Sequence, residues 1–327
     1  MTLSPADEFR HETGPDPRWQ ETYWFSAGDP LTHCGIDVHL ACQPHEGYVE
    51  AQITVISPEE TVSLGGRYAV DDALAIPGLD VDVRTPLEHW TLRYEGKGIR
   101  GPNKHGLYAQ APGDVPFGFF LDFHQPLPPA DFGTQYTDSI GAGIASTHYA
   151  AAAVCAGSLW CIGSRTPFSG LLVRDHTWGP RDWTYDLMQG SLIALDQAQV
   201  FVAAVSFLST QNWSGVCVVH DKNGTRRLPA PWVRLGGLPV RDTWHSAEIL
   251  VPGQREPIAF TGQHTIPKWV PSYSSGPSNY LQHELFAEAR WGKRTGHGPF
   301  YQVFPADSPL AANLPSGSGQ TAELPLF

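Results

Sequence analysis

Apolar and polar residues alternate with period two along most of this chain. Ile36, Val38, Leu40 and Cys42 alternate with Asp37, His39 and Ala41. After a turn at Pro44-His45-Glu46-Gly47 the pattern resumes, with Val49, Ala51, Ile53 and Val55 set against Glu50, Gln52 and Thr54. Successive side chains of a strand point to opposite faces, so this pair reads as a hairpin with one buried face. Leu79, Val81 and Val83 repeat the pattern, as do Trp90, Leu92 and Tyr94, and residues 117–123, 159–162 and 171–173 are further strand candidates. In the second half, residues 191–195, 199–207 and 216–220 are strand-like, with Asp221-Lys222-Asn223-Gly224 a strong hairpin turn. Residues 244–251, 258–264, 284–291 and 300–304 complete the set.

Helical candidates are few. Residues 126–132 suit a single turn, and residues 142–153 are Ala-rich but open on Gly; the stretch from Ala306 onward is a Pro/Gly/Ser extension. Many short strands joined by turns, without helix-length amphipathic segments, predict an all-β protein of sandwiches or barrels. Each half holds enough strands for its own core, so two β-domains are expected, residues 1–184 and 185–327, the second with an irregular tail.

Composition agrees with this picture. The chain has 327 residues, 41% of them hydrophobic and only 17% charged, with 33 Gly and 29 Pro, which suits strands and turns rather than long charged helices. A net charge of −12 and the lack of any basic run exclude a phosphate-backbone footprint, so no nucleic-acid partner is expected. Membrane insertion is not expected either: no stretch is long and apolar enough to span a bilayer. The five cysteines show no metal-binding or redox spacing and read as free thiols; with no apolar leader visible, a cytoplasmic protein is expected. Nothing here fixes oligomeric state, and a homodimer stays open.

Chemistry concentrates in one stretch, Arg174-Asp175-His176-Thr177-Trp178-Gly179-Pro180-Arg181-Asp182-Trp183. In a catalytic reading, Asp175 and Asp182 supply carboxyls, His176 relays a proton, and Arg174 and Arg181 set the electrostatics. Trp178 and Trp183 then wall an apolar pocket with Trp90 and Tyr94. In a structural reading the same Arg and Asp residues pair with one another and with loop carbonyls, pinning the junction of two sheets. The two readings differ in whether Asp175, His176 and Trp178 face an enclosed cavity.

Other motifs add little. His33, His39 and His45 are evenly spaced, but the turn at Pro44 separates the third from the strand, and neither HExxH nor His-x-His occurs. No metal centre is expected. Gly141-Ala-Gly143 is a partial dinucleotide loop without its preceding strand and reads as a plain loop; no Walker A sequence or nucleophile elbow occurs. Residues 290–298 form a basic hairpin turn, either a solvated face or a polar lip towards the Arg174–Trp183 stretch.

That stretch resembles the RDHSWG-x-RDW signature of bacterial proteins related to AttH and carotenoid 1,2-hydratase, and residues 284–303 are similar to their C-terminal strand pair. The resemblance implies two lipocalin-like β-domains in tandem and a pocket that protonates or confines an apolar, often polyene or prenyl, substrate without a cofactor. Relatives of this kind include isoprenoid hydratases, kievitone hydratases and cyclases of natural products. By match, Asp175, His176 and Trp178 would be pocket residues. One departure bears on substrate. The carotenoid hydratases resemble one another in a Tyr/Asp pair on a strand soon after the motif, whereas residues 200–205 here have neither, which argues against a carotenoid. The function implied is hydration, dehydration, isomerisation or cyclisation of an isoprenoid-like molecule, including terpenoids. The alternatives are a non-catalytic carrier of a hydrophobic ligand and a pericyclase that works by shape.

Overall fold

The computed structural model describes residues 3–58, 60–69, 71–100, 113–131, 147–161, 163–181, 185–209, 212–236, 246–270, 280–305 and 322–323. A short 3₁₀ turn (Pro5–Glu8) precedes β1 (Trp19–Asp29), β2 (Cys34–Gln43), β3 (Tyr48–Ile56), β4 (Thr61–Tyr68) and β5 (Leu79–Thr85). Then follow β6 (His89–Arg100), β7 (Val115–His124), β8 (Ala130–Asp131), β9 (His148–Cys161) and β10 (Ser164–Pro180). Among the described residues, β1, β2, β3, β4, β6, β7, β9 and β10 pair in that order, all antiparallel, and β10 pairs back onto β1. The ring closes into a lipocalin-like barrel, and closure removes the exposed edges that a flat sheet would leave.

Hydrogen bonding passes to a second sheet between Pro180 and Leu187. Its strands are β11 (Leu187–Leu195), β12 (Val200–Ser209), β13 (Asn212–Asp221), β14 (Gly224–Leu228), β15 (Trp232–Gly236) and β16 (Ser246–Leu250). They continue with β17 (Ile258–Val270), β18 (Tyr280–Trp291), β19 (Arg294–His297), β20 (Phe300–Pro305) and β21 (Ala322–Glu323). The order runs β14-β13-β12-β11-β19-β18-β17-β16-β15-β21, with β20 lying across β11 and β18. The protein is therefore all-β, as the period-two alternation predicts. Among the described residues, no helix is long and apolar enough to cross a membrane.

Three large apolar clusters fill this frame, beside a small contact of Ile56 with Phe286. The first barrel is packed by Tyr23, Phe25, Trp90, Tyr94, Phe117, Phe119 and Phe123 among others. A second cluster joins the two sheets and takes Trp24, Ala150, Ala152, Leu171 and Val173 from one side and Leu192, Phe201 and Tyr301 from the other. The third, which includes Ile193, Phe260 and Leu285, lies in the curl of the second sheet. The hairpin turns expected at residues 44–47 and 221–224 occur where placed, each with a Gly at positive φ.

The Ala-rich segment departs from expectation. Ala150, Ala151, Ala152 and Ala153 are strand residues of β9, not helix, because their intrinsic helix propensity is weak against a tertiary demand. Ala150 and Ala152 face the second sheet, where small side chains suit two sheets in close contact. Residues 142–146, the Gly141 loop and most of the tail lie outside the described residues.

His297 of β19 sits at the same junction. A Cβ on Gly28 would lie 2.3 Å from His297 Nδ1, so only Gly at position 28 lets the imidazole approach β1 this closely. The Ser26 hydroxyl lies 3.4 Å from His297 Nε2. Burial pushes the His297 pKa down to about 4, against about 6.5 in an unfolded chain. Between these values only the unfolded chain takes up the proton, so stability rises with pH across this window. The contribution is complete above about 6.5 and is lost as pH falls towards 4, a change of about 3 kcal/mol. Urea unfolding at pH 7 and pH 4 should show His297→Gln losing less stability on acidification than the wild type, by about that amount.

Candidate functional site

Adjacent residues of a strand face opposite ways, and β10 is buried on both faces. Leu172 belongs to the barrel cluster, whereas Leu171 and Val173 belong to the cluster between the sheets. Arg174, His176 and Trp178 continue the barrel side; Asp175 and Thr177 continue the other. The dense polar stretch is thus divided by the strand that carries it.

Inside the barrel, Arg174 is fully buried and salt-bridged to Glu8 at 2.7 Å, with Glu8 equally buried. Its Nε donates to Gln125 Oε1 at 2.8 Å, and its guanidinium lies over Trp90 at 4.6 Å. The Tyr149 hydroxyl donates to Glu8 Oε1 at 2.5 Å, and Leu87 N–H donates to the other carboxylate oxygen. The Gln125 side-chain amide donates to the Leu87 carbonyl. Burial alone would raise the Glu8 pKa, but the Arg174 charge and these hydrogen bonds hold it below the usual carboxylate value.

One turn of the pleat further on, His176 is fully buried and stacks on Tyr23 at 3.9 Å. Its Nδ1 lies 3.0 Å from the Asp7 carbonyl and its Nε2 lies 2.9 Å from Glu21 Oε1. The same Glu21 oxygen meets His11 Nδ1 at 2.8 Å, and the His11 ring stacks on Trp178 at 3.8 Å. Burial lowers the His176 pKa, outweighing the stabilising Glu21 carboxylate. Asp7, Glu8 and His11 all come from the segment ahead of β1, which is laid across this end of the barrel. A polar clasp results, tying the start of the chain to β1, β9 and β10.

The predicted residues therefore separate. Arg174, His176, Trp178 and Trp90 are brought together. Tyr94 packs deeper in the barrel against Phe117 at 5.2 Å. Asp175 projects towards the second sheet, 3.7 Å from His148 Nε2, so an Asp175–His176 relay is corrected: the two side chains leave opposite faces of one strand. Arg181 is buried, and its N–H donates to the Arg18 carbonyl at 3.0 Å. Asp182 and Trp183 lie outside the described residues. His33, His39 and His45 do not converge; His33 meets Glu288, and His45 Nε2 lies 2.8 Å from the Gly14 carbonyl.

Sequence reasoning missed Glu8, His11, Glu21, Gln125 and Tyr149. Glu21 carried a signal, since it stands in phase with Tyr23 and Phe25, a carboxylate in the apolar register of a strand. Glu8 and His11 carried none.

Two cavities lie between the sheets. One, of about 1090 Å³, has Val154, Ala156, Leu171, Ala259 and Ala289 in its wall together with Asp122, His124 and Glu288. A neighbouring one of about 240 Å³ shares Glu288 with it and adds His33. His33 Nδ1 lies 3.2 Å from Glu288 Oε1, and His89 Nε2 lies 2.8 Å from Asp122 Oδ1. Neither cavity is lined by Arg174, His176 or Trp178.

Residues 4–298 match the family described as Domain of unknown function (DUF7064). The chain belongs to that family. No curated protein matches this DUF7064 chain. Among solved structures it is similar to an AttH-like protein of Nitrosomonas europaea, with a TM-score of 0.62 and 13% identity over 93% of this chain and 96% of that one. It is also similar to kievitone hydratase from Nectria haematococca, with a TM-score of 0.55 and 9% identity over 93% of each chain. CghA, solved also with Sch210972, gives a TM-score of 0.52 and 11% identity over 88% of each chain. The fold of the DUF7064 chain is that of the AttH-like proteins, in line with the resemblance read from the sequence.

Removing one partner of a buried ion pair strands the other charge and costs about 3–5 kcal/mol. Glu8→Ala is expected to lose about that much stability in urea unfolding, whereas Glu8→Ala/Arg174→Met should recover much of it, because an apolar replacement of both partners leaves no charge unpaired.

Proposed function

We propose that this protein is an enzyme that hydrates, dehydrates, isomerises or cyclises an apolar, isoprenoid-like small molecule by side-chain acid–base chemistry, and that the reaction takes place in the cleft between the two sheets. The observation that carries the reading is that cleft: about 1090 Å³, with Ala, Val and Leu side chains in its wall beside Asp122 and Glu288, whose imidazole partners are His89 and, from the neighbouring cavity, His33. Ligand sites are concave and mostly apolar with a few placed polar groups, and this volume suits a molecule of isoprenoid size. The likeness in fold to a kievitone hydratase and to CghA with Sch210972 bound supports the same class of chemistry.

In this reading His33, held by Glu288, gives or takes the proton, and Asp122 with His89 forms a second carboxylate–imidazole pair on the barrel side. Positioned acid–base groups of this kind contribute about 10²–10⁴-fold. In this reading Arg174, His176 and Trp178 serve the fold, holding the first segment of the chain through Glu8, the Asp7 carbonyl and the His11 ring. That closure also favours a second reading, a carrier whose cleft holds an apolar molecule without changing it.

The two readings separate when purified protein is incubated with an extract of apolar metabolites and followed by mass spectrometry. An enzyme consumes a metabolite and yields a product that differs by one water or is isomeric with it. Ala156→Trp, which fills the cleft from an exposed position, should abolish this, and His33→Ala should slow it by about 10²–10⁴-fold. An apolar molecule retained unchanged by the wild type and excluded by Ala156→Trp would instead establish the carrier.

A further inference from the structure

His11, Glu21 and His176 place one ligand atom each within 4.8 Å of one another, at the junction of the first segment with β1 and β10. The hydrogen-bonding pattern around them does not close with neutral imidazoles alone. The Asp7 carbonyl can only accept, so His176 Nδ1 carries the hydrogen and Nε2 presents a lone pair to Glu21 Oε1 at 2.9 Å. His11 has a similar difficulty. Its Nδ1 faces Glu21 Oε1 at 2.8 Å, while its buried Nε2 makes no hydrogen bond and faces Asp7 Oδ1 at 3.5 Å. Whichever nitrogen of His11 holds its hydrogen, the other turns a lone pair on a carboxylate.

We propose that this cluster is a divalent transition-metal site of the zinc class, ligated by His11 Nδ1, Glu21 Oε1 and His176 Nε2, that staples the first segment of the chain to the barrel. A cation among the three atoms removes both lone-pair conflicts together: His176 Nδ1 donates to the Asp7 carbonyl, and His11 Nε2 donates to the Asp7 carboxylate. Metal-bound imidazoles commonly hold their outer nitrogen against a carbonyl or carboxylate in this way. Two imidazoles and one carboxylate suit zinc and its first-row neighbours rather than calcium or magnesium. Tetrahedral ligands about 2.1 Å from a metal stand about 3.4 Å apart, so the two nitrogen–oxygen pairs, now 2.8 and 2.9 Å apart, open by about half an ångström to admit the ion. Two ligands come from the barrel and one from the segment, so binding couples metal to closure of this end. The site is separate from the inter-sheet cleft and does not depend on the chemistry proposed there.

The test uses the full chain, stripped with a chelator and then titrated with zinc chloride by calorimetry, with melting temperature followed in parallel. The expected result is one zinc bound per chain and a raised melting temperature. Both should be lost in His11→Phe, which keeps a ring to stack on Trp178 but offers no ligand. Cobalt substitution should give visible absorption in the wild type alone. Absence of stoichiometric zinc binding by the wild type, or equal binding by His11→Phe, would overturn the proposal.

Discussion

The structure depends on a strand that is buried on both of its faces. β10 closes the first barrel by pairing with β1 and β9, and the face it turns away from the barrel packs against the second sheet. Whatever β10 carries must therefore be satisfied in one of two interiors. Leu172 and Val173 meet this with apolar contact, each on its own side. Arg174 and His176 cannot, and a buried charge without a partner costs far more than a fold of marginal stability can spare. The partners come from outside the barrel ring, in Glu8 and the Asp7 carbonyl, with Glu21 added from β1.

That requirement explains why the opening residues run across the end of the barrel. A 3₁₀ turn of four residues has no apolar face large enough to hold itself in place. It is held by what its polar groups complete: the Glu8 carboxylate accepts from Arg174, Tyr149 and Leu87, and His11 N–H donates to Glu21. Charge-assisted hydrogen bonds in a low-dielectric interior are strong when complete and penalising when one member is missing. The clasp is consequently cooperative, and it also closes off the side chains that the sequence marks as most chemical. The open space lies elsewhere, between the sheets, where His33 from the turn after β1 meets Glu288 of β18.

Much of the architecture was legible because period-two alternation is a direct imprint of burial. It placed β2, β3, β6, β7 and most strands of the second sheet. It failed where composition and context compete: the alanines of β9 look helical until the sheet packed on them is seen. The Arg174–Trp183 stretch was read as a contiguous unit, and strand geometry divides its described part between two faces. Asp175 and His176 are neighbours in sequence and strangers in space. Glu8 and His11 were invisible because their roles arise from contacts more than 150 residues away in the chain, to Arg174 and His176. No local pattern encodes such pairings.

Amide hydrogen exchange followed by mass spectrometry tests the central claim most directly, that the first segment is an integral part of the barrel, locked to β10. Peptides covering residues 5–11 should exchange slowly and in step with peptides of β10, because opening the clasp exposes Arg174 and His176 together with their partners. Rapid exchange of residues 5–11 while β10 stays protected would contradict the account.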